Sequence, residues 1–461
     1  MSYNWPGPYK PFAHQKKTTQ FLIRNRRALC LNDMGTGKSA STLWALDFLM
    51  LHGFVQRALV VAPLSTLTKV WLEEAFKLMP HRRVTVLHHR TSAKRRALYD
   101  SPWDIGIINY DGVGVLEPQI LHDPRMNLVV IDEATAYKNA NTERFEIMQR
   151  IATKAAWLWL LTGTPCAKAP TDAFGLAKLV DNPQAPRFFK TFRSRTMVQV
   201  APHKWVPAHN GYDKAFEVLQ PAIRYKKEDC GLDLPPMTFQ SWEVPLTAHQ
   251  RRAYSDMQKS MRLEFADNGG KLPAANAADK INKLRQIACG VIRDTQTGEY
   301  LTIDHKPRAQ AVLDAIDQAA AKVIVVVPFK GIIAELNNAI AKEHSVAIIN
   351  GDVPPRRRNE IITAFKEARD PHVLLVHPKV MAHGLTLTEA DTMVFYAPIY
   401  SNEEVRQVIE RINRPGQTRK MTVVRIGSTA VEWGIYNTLD QRAAGEEFLL
   451  DLYKNAMNET P

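Results

Sequence analysis

The chain has 461 residues, 45% of them hydrophobic, 23% charged and 8% aromatic, which are globular proportions and exclude wholesale disorder. At roughly 100–200 residues per domain the length accommodates several domains, each with a core of its own. Lys and Arg total 60 against 47 Asp and Glu, a formal charge of +13 that favours polyanionic partners such as nucleic acid over a merely basic surface.

Short β-branched runs alternate with longer amphipathic stretches, the pattern of βαβ units around a parallel sheet. The first series of expected strands is 28–33, 58–63, 84–89, 104–110, 127–133 and 157–164. Residues from about 200 to 320 show little strand pattern, scattered prolines and helical stretches such as 246–265. A second strand series follows at 322–329, 345–350, 372–378, 392–398 and 421–427. The expected organisation is an α/β lobe over 1–185, a mostly helical linking region over 186–305, a second α/β lobe over 306–430 and a helical segment over 431–461. Cys30, Cys166, Cys230 and Cys289 are far apart with no CxxC pair, so reduced thiols are expected rather than a disulfide framework or a zinc module. The N-terminus lacks the apolar stretch of a signal peptide, and no run approaches the ~18–20 apolar residues of a membrane span. A soluble protein of the cytoplasm, or of the nucleus in a eukaryote, is expected.

The apolar run at 28–31 leads into Asn32-Asp33-Met34-Gly35-Thr36-Gly37-Lys38-Ser39 and then a helical pattern. Strand, glycine-rich turn and helix are the context of a phosphate-binding loop, in which backbone N–H groups and the helix N-terminus cradle phosphate oxygens. Lys38 is placed to reach the β- and γ-phosphates of ATP and Ser39 to ligate Mg2+. The first glycine of the strict pattern is replaced by Asn32. Further on, Leu128-Val129-Val130-Ile131 runs into Asp132-Glu133-Ala134-Thr135. A buried strand ending in two carboxylates puts both at the edge where open α/β sheets bind ligands. Asp132 is a candidate for the magnesium ion and Glu133 for orienting and deprotonating the attacking water.

Phosphoryl transfer also wants positive charge on the transferring phosphate. Gln407, Arg411 and Arg414 stand at i, i+4 and i+7, one face of an expected helix that Pro415-Gly416 ends. The later lobe has no glycine-lysine loop of its own, so these residues are expected to complete a site housed in the earlier lobe.

Together these segments resemble superfamily-two helicases, and among them the SWI/SNF-like DNA translocases, over about 11–442. The resemblance rests on Pro11-Phe12-Ala13-His14-Gln15 ahead of the phosphate loop, 59–77, IINYDGV (107–113), DEATAYKNANT (132–142) and LTGTPCAKAP (161–170). It continues through Tyr225-Lys226-Lys227-Glu228-Asp229 with Leu234-Pro235-Pro236, KLRQIACG (283–290), Gly384-Leu385-Thr386-Leu387-Thr388-Glu389-Ala390-Asp391 and the R-x-x-R-x-G-Q ending at Gln417. Departures are Asn32, Thr135 in place of a histidine, His383 in place of a glycine, and Ile412-Asn413 between the arginines. The resemblance implies two RecA-like lobes with ATP hydrolysed between them. It also implies adenine reading by Gln15, nucleotide contacts from Gly384 and Gln407, and DNA contacts from Ser65, Lys69, Asn109, Thr164, Arg356 and Thr386. Its activity is movement along duplex, forked or branched DNA without sequence preference, by a monomer.

Two other readings stay open: a strand-separating DNA or RNA helicase, for which no wedge hairpin is identifiable in either lobe, and a nucleic-acid clamp that ATP merely switches. The basic stretch from Lys77 to Arg96 either tracks phosphates or is a solvated edge, and Arg356-Arg357-Arg358 divide evenly between the same choices. For 186–195, where aromatics alternate with cations, framework packing is the favoured reading over base stacking.

Overall fold

The computed structural model describes residues 3–202, 204–231, 234–267, 274–293, 297–381 and 386–443. The chain divides into two compact units, one formed within residues 1–232 and the other within 233–441. Each is built on its own parallel sheet, as the alternation of β-branched runs and amphipathic stretches implies.

In the first unit the strands are β1 (Arg27–Cys30), β2 (Arg57–Ala62), β3 (Val84–Val86), β4 (Ile105–Asn109), β5 (Met126–Ile131) and β6 (Trp157–Leu161). The remaining strands there are the hairpin β7 (Met197–Ala201) with β8 (Lys204–Pro207), and β9 (Ala222–Ile223). Seven of the nine form one sheet in the order β3-β4-β2-β5-β6-β1-β9, every neighbour parallel. All of β2, β4 and β6 is buried, because helices cover both faces. One face carries Leu29, Leu59, Val61, Val129 and Leu158 and the other Ala28, Ala58, Val60, Val130 and Trp159, the period-two alternation of a strand read from both sides.

The second unit holds β10 (Met237–Glu243), β11 (Val291–Arg293), β12 (Tyr300–Thr302), β13 (Lys322–Val326), β14 (Val346–Ile349), β15 (Val373–Val376), β16 (Ala390–Phe395) and β17 (Met421–Gly427). Six of these make the sheet β10-β17-β16-β13-β15-β14, again parallel, while β11 and β12 pair with each other. The α/β class with two helix-flanked parallel sheets is therefore as expected. The segment 186–305 is divided between the two units: β9 extends the first sheet beside β1, and β10 extends the second beside β17. The helical stretch expected at 246–265 is a helix over Ala248–Asp267. The expected boundary after residue 430 has buried side chains beyond it, since Glu432, Tyr436 and Leu439 sit in the second unit's interior. Residues 444–461 of that expected segment lie outside the described residues. Among the described residues no helix is long and apolar enough to cross a membrane.

Candidate functional site

The loop after β1 carries the chain into helix α2 (Lys38–Leu51). Gly35 and Gly37 have φ of +79° and +80°, the left-handed region that glycine enters without steric cost. A Cβ on Gly37 would also collide with the Gln15 amide. No side chain caps the start of α2, leaving its first N–H groups for an anion. The Lys38 ammonium folds back to donate to the carbonyls of Asn32 (3.0 Å) and Asp33 (3.2 Å), so it is held over the loop. Ser39 follows it on the first turn of the helix.

The loop is braced from two directions. Helix α1 (Ala13–Arg24) brings His14, whose Nε2 donates to the Thr36 carbonyl at 2.8 Å. Burial lowers the pKa of this imidazole, which keeps it neutral. Gln15 donates to the same carbonyl at 3.2 Å, and its Oε1 accepts from the Phe12 N–H at 2.9 Å. Both ends of the amide expected to read adenine are thus tied to the loop and the helix start. Asn32, the departure from the strict motif, is buried and bridges elements: its Nδ2 donates to Thr18 Oγ1 (2.9 Å) and its Oδ1 accepts from the Tyr225 N–H (2.9 Å). The Asp33 carboxylate accepts from the buried Arg224 guanidinium at 2.6 Å and from the Lys227 N–H at 3.1 Å. Sequence reasoning missed His14 and Arg224 as site residues, although both adjoin segments singled out above.

At the end of β5, Asp132 Oδ2 accepts from the indole N–H of buried Trp71 (2.9 Å) and Oδ1 from the Glu133 N–H (3.1 Å). Tyr110 donates its hydroxyl to the carbonyls of Asp132 (2.8 Å) and Glu133 (3.3 Å), fixing the turn. Glu133 itself has φ +46°, a conformation costly for a residue with a Cβ and one that concentrates at functional sites. Burial pushes the Asp132 carboxyl above the usual carboxylate range, opposed by the Trp71 hydrogen bond and the Lys38 charge. A desolvated carboxylate within the field of one ammonium, together with the Ser39 hydroxyl on the first turn of α2, is a donor set of the hard oxygen type that suits Mg2+. Trp71 and Tyr110 are further residues that sequence reasoning missed, because their partners are distant along the chain.

The remaining candidates of the first unit lie around the same sheet edge. Thr162 follows β6, its N–H donating to the Cys30 carbonyl (3.1 Å), and its hydroxyl accepts from the Thr164 N–H (3.1 Å). Thr164 is fully buried, and its hydroxyl has no hydrogen-bond partner among the described residues. Asn109 is buried against His88, their side chains 3.0 Å apart. Ser65 and Lys69 are exposed, Lys69 on the outer side of the π-helical turn Leu67–Leu72 whose inner side presents Trp71 to Asp132.

In the second unit the helix carrying Gln407 spans Asn402–Ile409 and stops before Arg411, a correction to the expected single helical face. Past Ile409 the backbone tightens into turns ahead of Pro415, which has no N–H to continue a helix. Arg411 Nε takes the Gln407 carbonyl (2.8 Å) and Arg414 Nε the Glu410 carbonyl (3.0 Å), while the Arg411 and Ile412 N–H groups reach back only three residues. Gln407 and Arg411 are buried, and Arg414 also donates to Thr386 Oγ1 at 3.0 Å. The structure therefore does bring Arg411, Arg414, Thr386 and Gln407 together, by turns rather than by a helix. Gly384 lies outside the described residues. Arg356 is exposed at the start of the helix Pro355–Glu367, its guanidinium 3.5 Å from Glu360, whereas Arg358 folds back onto the Val353 carbonyl (3.2 Å).

Comparison with known proteins gives the family. The SNF2-related domain family matches residues 14–291 and the helicase conserved C-terminal domain residues 308–416. Putative protein p41 of Acyrthosiphon pisum secondary endosymbiont phage 1 is 28% identical over 432 residues, covering 89% of this chain and 90% of that protein. An uncharacterized ATP-dependent helicase of Mycoplasma genitalium is 25% identical over 401 residues; the match covers 86% of this chain and 37% of that protein's length. Among solved structures, the Sulfolobus solfataricus SWI2/SNF2 ATPase core in complex with dsDNA is similar at 21% identity and a TM-score of 0.45, covering 98% of this chain and 95% of that one. The chain belongs to the SNF2 family of helicase-type ATPases.

Proposed function

We propose that this protein is an ATP-driven DNA translocase that moves along duplex or branched DNA without reading its sequence. The observation that carries the reading is the pairing of the Lys38 loop with the Asp132-Glu133 turn. Both stand at the same end of one parallel sheet, β1 and β5 separated only by β6. In this reading Lys38 and the loop N–H groups hold phosphates, Ser39 and Asp132 hold Mg2+, and Glu133 takes a proton from the attacking water. Bound there, Mg2+ neutralises phosphate charge that develops during transfer. Arg411 and Arg414 supply the remaining positive charge, and Gln15 recognises the base. Family membership and the +13 charge support DNA as the track, with Ser65, Lys69, Asn109, Thr164, Arg356 and Thr386 as candidate contacts. Remodelling of branches, annealing or displacement of bound protein are the outputs such movement would have.

The test is steady-state ATPase activity with no polymer, duplex DNA, forked DNA, single-stranded DNA and RNA, at two salt concentrations. Stimulation by duplex or forked DNA that weakens with salt is expected. Stimulation by single strands or RNA alone would replace the translocase with a strand-separating helicase, and no turnover with any polymer would favour an ATP-switched clamp. Lys38→Ala is expected to lower turnover by more than about tenfold, since it removes a charge held on the phosphate loop.

A further inference from the structure

The hairpin β7–β8 pairs with nothing but itself among the described residues, and it presents an apolar face to solvent. Val198 lies opposite Val206 across the two strands, and Val200 sits in the irregularity that follows. These three are 52%, 36% and 54% exposed. β-branched residues on a two-stranded ribbon gain no burial from the ribbon itself, so an exposed valine face of this kind marks a contact surface. On the other face Trp205, opposite Gln199, is capped by the Arg193 guanidinium 4.3 Å from its ring centroid. That stack fixes the hairpin on the helix Phe189–Thr196, which runs directly into β7.

The charge around the hairpin selects the occupant. Between Asp181 and Asp213 there is no acidic residue, while Arg187, Lys190, Arg193, Arg195 and Lys204 are all cationic. Lys190, Arg195 and Lys204 are exposed. The aromatic-basic stretch splits accordingly: Phe192 is buried against Phe174, but Phe188 is 63% exposed beside Arg187. An apolar face ringed by cations suits a polyanion that also offers an apolar surface. DNA offers one where a duplex ends at a branch, because the last base pair exposes a flat face that continuous duplex keeps stacked. Apolar side chains are used against base steps in this way, with cations on the flanking phosphates.

We propose that the β7–β8 hairpin is a branch-point contact, in which Val198, Val200 and Val206 pack on the terminal base pair of a DNA fork and Lys190, Arg195 and Lys204 hold its phosphates. The proposal rests on the DNA translocase reading and gives it a preferred substrate.

The experiment compares binding of a fork and of a duplex with closed ends and equal phosphate number, using the full chain and a Val198→Thr, Val200→Thr, Val206→Thr variant. Threonine keeps the valine shape and the strand preference, so the hairpin is retained. The wild type is expected to favour the fork, and the variant to lose about five- to tenfold of that ratio, the scale of apolar contacts of this size. Should the triple variant melt early, Arg195→Glu with Lys204→Glu, both exposed, is expected to reduce the same ratio. Equal affinities in the wild type, or an unchanged ratio in a folded variant, would overturn the proposal. So would a wild-type dimer in sedimentation that the threonine variant abolishes, since a second copy would then cover the valines. Stimulation of the ATPase by closed duplex tests the translocase reading separately: stimulation without fork preference removes only the hairpin contact.

Discussion

Asp33 is engaged at both its backbone and its side chain. Its carbonyl accepts from Thr36 Oγ1 (2.8 Å) and Lys38 Nζ (3.2 Å), so it shapes the phosphate loop from inside. Its carboxylate meets Arg224 and the Lys227 N–H, which lie a few residues before the boundary between the two units. Replacing Arg224 by Met leaves that half-buried carboxylate short of its charged donor, a loss of about 1–3 kcal/mol for a charged hydrogen bond. The expected outcome is an ATP KM raised about tenfold with kcat changed much less, and a double variant with Asp33→Asn that is not additive. An unchanged KM would confine Arg224 to packing. Trp71 makes a parallel case at the acidic turn. Trp71→Phe keeps the ring in the core but removes the donor to Asp132, and orienting partners of this type are worth about 10–100-fold. A higher Mg2+ requirement for ATPase activity is expected, read from a magnesium titration at saturating ATP.

At the scale of elements, what the sequence shows and hides follows from burial. Strands β2, β5, β13 and β17 are legible as apolar, β-branched runs, and β1 as a short apolar one, because both sheet faces are covered. By contrast β10 is an exposed edge, and its Met237–Glu243 run alternates with polar residues; β9 is only two residues long. The hairpin β7–β8 escapes notice for the opposite reason, since its valines face solvent and its short strands are bounded by Pro202 in the turn and Pro207 at the end. The phosphate loop is readable because glycine at positive φ and a following lysine are local requirements. Trp71, Tyr110 and Arg224 act across the fold, where spacing carries no signal. The spacing of Gln407, Arg411 and Arg414 does signal a helix, but the helix stops at Ile409 and tighter turns ahead of Pro415 bring the three together instead.

The helix after β17 is anchored by a buried ion pair among other contacts. Arg308 donates to both Glu432 oxygens at 2.8 Å, to the Tyr396 carbonyl at 2.8 Å and to Ser428 Oγ at 2.7 Å, with both charged groups buried. The Glu432 charge holds the Arg308 pKa well above its ordinary value against the opposing effect of burial. Glu432→Gln leaves a buried guanidinium uncompensated, and about 3–5 kcal/mol of stability is expected to be lost. Urea unfolding should show a lower midpoint, and replacing both partners by Met and Leu should recover much of it.

On the scale of the whole molecule, the candidate residues are divided between the two units. The first unit carries the glycine-lysine loop at 35–38, whereas the turn after β13 in the second, Val327-Pro328-Phe329-Lys330, has no glycine-lysine pair. What the second unit holds instead is the Arg411–Arg414 cluster, fastened by its own carbonyls and by Thr386. If these arginines act on a nucleotide bound by the first unit, binding and turnover must be separable by substitution. Arg414→Ala in the full chain is expected to lower kcat by at least about a hundredfold, the scale of an arginine supplied to a transferring phosphate. Nucleotide affinity, measured with a fluorescent analogue, is expected to stay within a few-fold, because the loop and Lys38 are untouched. Arg411 is the less informative choice, since its buried side chain also packs the turn and its removal should lower the melting temperature. Full turnover in Arg414→Ala would move the charge role to Arg411, and full turnover in both variants would mean that the first unit hydrolyses ATP without help from the second.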